Sequence, residues 1–192
     1  MRMKDRKYAD FLIDNYDNMA NIYFKFIQLK NLFRQGWIKA GVSEKICESV
    51  AEHVFSTMVL SLLIIKKLSI SLDLEKVLTM ILFHETGEIL TGDFTPDDDI
   101  SENEKREKEK EAIIKVVGKN EDLAFILDIW NEFEDNKTKE AKFVKQMDKL
   151  DMFFQLKAYE DYTKKELYEK FKKSSDLIYW KELKKEINKL FS

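Results

Sequence analysis

Residues that break helices are rare in this chain, and this feature constrains its fold most. The 192 residues include five glycines and one proline, Pro96. Glycine and proline are the residues that most often end helices and form turns. Apolar residues recur at helical spacing over residues 50–65 and 77–81, and no stretch alternates convincingly with period two. We therefore predict an all-α fold, a bundle of roughly seven to nine helices.

Length and composition restrict the domain organisation. A chain of 192 residues with 44% hydrophobic content has the size of one domain and can fill one core. We predict a single domain over residues 1–192, without repeats or linkers. Further helices are expected over residues 122–133, 139–162 and 176–191. The charged segment 97–111 is expected to form a solvated loop followed by an exposed helix.

Charge and hydropathy exclude several classes of partner. The net charge is −3, and 33 basic residues are dispersed among 36 acidic ones, so no basic stripe could follow a nucleic-acid backbone. Residues 1–18 are charged where a signal peptide would be apolar, and the longest apolar run, residues 58–65, is too short to span a membrane. The lone Cys47 cannot form an internal disulfide, which suits a reducing compartment. We expect a cytoplasmic protein without nucleic-acid or membrane partners.

The two histidines, His53 and His84, are the residues that indicate chemistry. Each lies in or at the end of an apolar helical stretch, where a single histidine can be a core residue with one hydrogen bond. Their acidic neighbours change this interpretation. Glu85, Glu88 and Asp93 follow His84 after an apolar run, and carboxylates massed there indicate a cation. Because His84 and Glu85 lie about 100° apart around a helix, one ion can contact both only near the helix end.

A further carboxylate, Asp148, lies on the apolar stripe formed by Val144, Met147 and Met152. An unpaired carboxylate buried there would be costly. One alternative is that Lys145 or another cation pairs with Asp148 at the surface. The other is a site in which two imidazoles and two carboxylates from three helices bind a first-row divalent ion through nitrogen and oxygen.

Three motifs occur in a fixed order: ESVAEH (48–53), HETGEILTGDFTP (84–96) and EAKFVKQMDKLDM (140–152). This order resembles the HD-domain superfamily, and within it the 5'-deoxynucleotidases that act on nucleoside monophosphates. The resemblance implies a metal-dependent phosphomonoesterase that converts (deoxy)nucleoside 5'-monophosphates to nucleoside and phosphate. It assigns the metal to four residues: His53, His84, Glu85 and Asp148.

The resemblance also implies roles for four residues around the metal. Glu88 and Asp93 correspond to the family's water- and substrate-handling carboxylates, and Arg34 to its phosphate-binding arginine. Trp37 corresponds to an aromatic residue that shapes the sugar pocket, where Asp93 is available for a sugar hydroxyl. Glu88 is expected to orient or deprotonate the attacking water. Because only two histidines are present, we expect a single divalent transition ion, drawn from Co²⁺, Mn²⁺, Zn²⁺, Ni²⁺ and Fe²⁺.

The motif departs from the family at one position, because His-Glu stands at 84–85 where the family has His-Asp. The additional methylene displaces the carboxylate by about 1.5 Å, whereas metal–oxygen distances tolerate about 0.2 Å. This departure leaves open a non-catalytic helical pseudoenzyme that has lost the metal. A second alternative to a nucleotidase is hydrolysis of another phosphoester, such as an alarmone or a cyclic dinucleotide, because nothing in the sequence reads the base.

The C-terminal helices carry Phe153, Phe154, Tyr179 and Trp180, which is more aromatic surface than a small monomer need expose. The alternative is that these aromatic side chains all pack inside one subunit. Relatives that resemble the chain are commonly dimers. The resemblance therefore implies a homodimer, and we expect its only other partner to be the small-molecule nucleotide.

Overall fold

Helices account for the regular structure in the part of the chain that the computed structural model describes, residues 19–95, 97–173 and 178–190. Those ranges contain no β-strand, and the predicted all-α fold class is confirmed. Two 3₁₀ turns, Ile27–Lys30 and Glu121–Leu123, supplement the α-helices. The helices are α1 (Met19–Phe26), α2 (Gln35–Ala40), α3 (Val50–Leu68), α4 (Leu74–Phe83), α5 (Glu88–Thr91), α6 (Glu102–Val117), α7 (Ala124–Asp135), α8 (Lys139–Ala158), α9 (Lys165–Lys173) and α10 (Lys181–Leu190).

Local capping determines where several of these helices begin and end. The Ser49 side chain accepts a hydrogen bond from the Glu52 N–H, and the Glu52 carboxylate accepts one from the Ser49 N–H. This capping box satisfies two amides at the start of α3. Ser101 and Thr138 cap α6 and α8 in the same way through their hydroxyls. α5 ends at Thr91 and is followed by Gly92, whose φ of 80° favours glycine.

α8 lies at the centre of the fold and packs against α3, α4, α7, α9 and α10. Its apolar face meets those of α3 and α4 in the largest core cluster. Burial of these side chains supplies the main driving force for packing the three helices together. The packing also brings together the segments that carry His53, His84 and Asp148. Buried members of this cluster include Val54, Ile64, Val77, Met80, Ile81, Phe143, Val144, Met147, Leu150 and Phe153.

Residues 97–111 form the expected loop and helix, and the helical part is mostly exposed, except on one face. α6 begins at Glu102 after a short loop, but it packs against α5 and α7. Glu109 of α6 is buried as a result. Gly87 permits this close approach, because a Cβ there would lie 2.6 Å from Glu109 Cβ and 3.0 Å from Glu109 Cα.

The aromatic surface expected from the C-terminal part of the chain is also smaller than predicted. Phe153 is fully buried, and the Trp180 ring lies 5.6 Å from the ring of Phe143. Phe154 and Tyr179 are exposed, as expected. Phe153 therefore packs inside the subunit, and Trp180 is half-buried against the same core cluster.

Some expectations fall wholly or partly outside the described residues. The interpretation of residues 1–18 as lacking a signal peptide is one, and residues 176, 177 and 191 of the last predicted helix are another. Pro96, in the loop before α6, also lies outside them. Within the described ranges, no helix is both long and apolar enough to cross a membrane.

Candidate metal centre

Four side chains converge from α3, from α8 and from the turn between α4 and α5. His53, His84, Glu85 and Asp148 each offer one ligand atom, and these atoms lie within 4.8 Å of one another. His53 Nε2 lies 3.1 Å from Asp148 Oδ1 and 3.8 Å from Glu85 Oε1. His84 Nε2 lies 3.4 Å from Glu85 Oε1. Ligands about 2.1 Å from a tetrahedral ion are roughly 3.4 Å apart, so the spacing fits a metal ion.

Hydrogen bonds to Nδ1 orient both imidazole rings. His84 Nδ1 donates to the carbonyl oxygen of Ile81 at 2.7 Å, and His53 Nδ1 lies 2.9 Å from Asp151 Oδ2. A carbonyl can only accept, so Nδ1 of His84 carries the proton and neutral His84 presents a lone pair at Nε2. Both Nε2 atoms are buried, and no hydrogen bond within the described residues satisfies them. Two unsatisfied nitrogens directed into one cluster fit a bound metal ion.

The cluster brings opposite charges together where the two histidines are buried and the two carboxylates are half-buried. Burial disfavours the charged form of His53, yet the carboxylates of Asp148 and Asp151 raise its pKa to about 10. Burial also disfavours ionised Glu85, but His84 and Arg34 lower the pKa of Glu85 to about 2. The pKa of Asp148 lies below its usual range, because His53 outweighs the effect of burial. The ionised carboxylates can bind a cation, whereas His53 must release a proton to do so.

Asp151 supports the cluster through His53, and removing its charge should weaken metal binding. Asp151 is buried, and its hydrogen bond is the contact that fixes the orientation of the His53 ring. We predict that Asp151→Asn lowers metal affinity by about 10- to 100-fold, the usual effect of losing such a partner. Titration of metal-free protein measures this. Asp128→Asn, at an exposed position on α7, is the matched control. Unchanged affinity in Asp151→Asn would contradict this supporting role.

Glu85 carries the one departure from the His-Asp pattern, and its reach can be tested. Its Oε1 atom lies between His84 Nε2 and Arg34 Nη1, at 3.4 Å and 3.3 Å. Glu85→Asp would withdraw the carboxylate by about 1.5 Å. We predict that metal affinity falls roughly tenfold, because metal–ligand distances tolerate only small changes. If titration shows the same affinity and turnover for both proteins, Glu85 is not a metal ligand.

Arg34 lies beside the cluster and joins it to a second group of carboxylates. Its Nη1 atom is 3.0 Å from Asp93 Oδ1, 3.3 Å from Glu85 Oε1 and 3.8 Å from Glu88 Oε1. Asp93 Oδ2 accepts a hydrogen bond of 2.5 Å from the backbone N–H of Gln35. Both oxygens of Asp93 are thus engaged by the segment that begins α2. These contacts fix the guanidinium at the edge of the cluster.

Glu88 is buried at the start of α5, next to Arg34. Its Oε2 atom has no hydrogen-bond partner among the described residues. Burial, followed by the negative charges of Glu85 and Asp93, raises the pKa of Glu88 well above its ordinary value. A carboxyl group in such surroundings is suited to gaining and losing a proton during a reaction.

The residues predicted to bind metal or substrate line a cleft with two compartments. The compartments share Arg34, Asp93 and Phe94. The polar compartment has a volume of about 160 Å³, and the other has about 200 Å³. Further residues of the polar compartment are His84, Glu85, Glu88, Lys105, Glu109, Phe133, Glu134, Lys145 and Asp148. Further residues of the other compartment are Gly36, Trp37, Glu48, His53, Thr95 and Met152.

Trp37 is buried, but it borders the second compartment, and its Nε1–H donates to Glu48 Oε1 at 2.7 Å. Burial raises the pKa of Glu48. Sequence reasoning did not single out Glu48, because nothing in the motif ESVAEH separates a carboxylate that faces a cleft from one that faces solvent. The structure thus places a carboxyl oxygen that accepts a hydrogen bond next to the predicted aromatic residue.

Lys145 does not pair with Asp148, although such a pair was the alternative to a metal site for that carboxylate. Lys145 Nζ donates to Glu134 at 2.7 Å and lies 4.0 Å above the ring of Phe133.

Asp151 was not identified from the sequence, although a signal for it existed. It follows Asp148 by one helical turn and shares its face. Lys145 precedes Asp148 by the same spacing but was considered only as its ion-pair partner, and Lys105 had no comparable signal.

The chain is similar to several known proteins. The HD domain family model matches residues 26–190, which include every residue of the cluster and the cleft. The 5'-deoxynucleotidase HDDC2 of Dictyostelium discoideum is 40% identical over 151 residues, 72% of this chain and 76% of that protein. The same enzyme of Danio rerio is 33% identical over 147 residues, 76% of this chain and 71% of that protein. A crystal structure from Pyrococcus horikoshii OT3 superimposes with a TM-score of 0.73 at 25% identity, covering 90% of this chain and 98% of that one.

Proposed function

The chain belongs to the HD domain family, and we propose that its cleft hydrolyses deoxynucleoside 5'-monophosphates to nucleoside and phosphate. One observation carries the proposal: a cluster of two imidazoles and two carboxylates lies beside a fixed guanidinium in a divided cleft. The relatives named 5'-deoxynucleotidase support the same substrate class. Phosphate would enter the polar compartment, and the sugar would lie beside Trp37 and Glu48.

The four cluster residues, His53, His84, Glu85 and Asp148, would hold the metal. A divalent ion in such a site supplies Lewis-acid polarisation of a phosphoryl oxygen and lowers the pKa of water. Two nitrogen and two oxygen donors favour a first-row transition ion over magnesium, which prefers oxygen ligands and retains its waters. We therefore propose one Co²⁺, Mn²⁺, Zn²⁺, Ni²⁺ or Fe²⁺ ion per chain.

The remaining residues would act on phosphate, water and sugar. Arg34 presents a planar set of donors to the phosphate oxygens. Glu88 accepts the proton of the attacking water, which suits its raised pKa. Asp93 already accepts hydrogen bonds at both oxygens, so we propose that it acts chiefly by positioning Arg34. Trp37 would lie against the sugar and disfavour a 2'-hydroxyl.

Phosphate release from a panel of substrates tests this function. The panel comprises deoxynucleoside and ribonucleoside 5'-monophosphates, an alarmone and a cyclic dinucleotide, each with added cobalt, manganese, zinc or magnesium. We expect release from the deoxynucleoside 5'-monophosphates with transition ions. Cleavage restricted to the alarmone or the cyclic dinucleotide would favour the other phosphohydrolase. No cleavage with any ion would favour the pseudoenzyme.

We also propose a homodimer, supported by an exposed apolar groove between α1, α3 and the end of α4. The groove has a volume of about 540 Å³, and its lining includes Tyr23, Phe55 and Leu82. Phe55 is 69% exposed. Contiguous apolar surface of this kind marks interaction sites.

We predict a light-scattering mass of two chains for the unaltered protein and of one chain for Phe55→Glu. Tyr162→Glu, at an exposed aromatic outside the groove, should remain dimeric. A one-chain mass for the unaltered protein contradicts the proposal.

A further inference from the structure

α6 reaches the cleft through Lys105, although the surrounding sequence is typical of a solvated helix. Lys105 borders the polar compartment, and Glu109, one turn further along α6, is buried beside it. The distance between Lys105 Nζ and Glu109 Oε1 is 3.6 Å, which is longer than a normal hydrogen bond. Burial disfavours the charged ammonium, yet the carboxylates of Glu109 and Glu85 raise the pKa of Lys105. Lys105 is therefore a charged donor facing the cleft.

Lys145 borders the same compartment from α8. Its Nζ atom is held by one hydrogen bond to Glu134 and by the face of the Phe133 ring. The Phe133 ring in turn packs against that of His84, with 5.1 Å between centroids. These contacts keep the ammonium group close to the metal cluster. An ammonium has three donors, so the bond to Glu134 leaves others for a ligand.

We propose that Lys105 and Lys145 bind the phosphate oxygens of the substrate, together with Arg34. This inference rests on the proposed function, because it assigns further phosphate-binding residues to the same cleft. The three cations come from three separate elements, the N-terminus of α2, α6 and α8, and all border one compartment of about 160 Å³. Arg34 alone is already shared among three carboxylates. A phosphomonoester carries close to two negative charges near neutral pH, so additional donors would favour its binding.

A surface lysine of α6, Lys108, shows the contrast. Lys108, one turn from Lys105 on α6, forms an exposed ion pair with Glu104 at 2.8 Å. Such pairs contribute little, because water screens both charges. Lys108 does not line the polar compartment. It is therefore a matched control for Lys105, with the same residue type on the same helix.

Binding of inorganic phosphate and of deoxyadenosine to the metal-loaded protein, measured by calorimetry, tests the inference. We expect Lys105→Met and Lys145→Met each to weaken phosphate binding about tenfold or more, because each removes a charge-assisted contact. Deoxyadenosine carries no phosphate, so its affinity should be unchanged. Lys108→Met should bind both probes like the unaltered protein. Lys105→Arg keeps the charge and should restore most of the phosphate affinity.

Three results would overturn the inference. The first is unchanged phosphate affinity in both methionine variants. The second is equal weakening for phosphate and deoxyadenosine, or loss of metal, since either indicates that the lysines only maintain the fold. The third is undetectable phosphate binding to the unaltered protein. Failure of the proposed function is distinguishable, because a protein that releases no phosphate from nucleotides can still show the predicted difference between probes.

Discussion

His84→Ala is expected to remove divalent-metal binding and phosphate release together. His84 Nδ1 is committed to the Ile81 carbonyl, so its buried Nε2 is the atom available to a metal. Alanine leaves one imidazole and two carboxylates, and the low-dielectric surroundings provide no replacement. Metal catalysis contributes several kcal/mol to such reactions, so kcat/KM should fall roughly 10³-fold or more. Metal analysis and initial rates on the same preparation measure both quantities.

The control for this variant is Phe133→Leu. Phe133 packs against the His84 ring but offers no ligand atom, so its substitution perturbs packing and should leave the metal content unchanged. Circular dichroism should show that both variants retain their helices. If His84→Ala keeps one ion per chain at the affinity of the unaltered protein, the assignment of His84 as a ligand is wrong.

Glu88→Gln should separate proton transfer from metal binding. The amide keeps the size of the side chain but cannot accept a proton from water. We expect kcat to fall by roughly 10²- to 10⁴-fold, the range found on losing a general acid or base. Metal content should be unchanged, because Glu88 is not among the four clustered ligand residues. KM should change little, since Arg34 keeps its contacts with Glu85 and Asp93.

Glu140→Gln is the matched control, because Glu140 is a buried glutamate on α8 outside the cleft. It accepts a hydrogen bond from the Asp73 N–H, so its substitution should lower stability without changing kcat. A decrease in kcat of less than tenfold for Glu88→Gln, at full metal content, would exclude Glu88 from proton transfer. Loss of metal would instead identify it as a ligand.

Much of the fold could be predicted because its signals are local. The spacing of apolar residues predicted α3, α4, α7 and α8, since a helix repeats every 3.6 residues whatever lies against it. The polar residues at the ends of those apolar stretches could also be recognised from the local sequence. His84 and Glu85 stand at the end of α4, the place where one ion can contact both side chains.

The outward-facing residues were harder to predict. Lys105 and Lys108 have the same charge on the same charged helix, yet one borders the cleft and the other forms a surface ion pair. Phe55, in the apolar stretch 50–65, is exposed, whereas Phe153, which was expected to be exposed, is buried. A helical pattern gives the direction in which each side chain points from the helix axis. It does not specify which other helix covers that direction.

By itself, the sequence determined the helical class, the segments that form the helices and the chemical identity of the clustered side chains. The tertiary structure decided which polar atoms meet: His53 with Asp151, 98 residues away in the chain, and Lys145 with Glu134 rather than Asp148. It also decided that α6 packs against the turn at Gly87, which places Lys105 at the cleft. The physical reason is that helix formation depends on neighbours within a few residues, whereas burial, charge pairing and pKa depend on helices that pack together from distant parts of the chain.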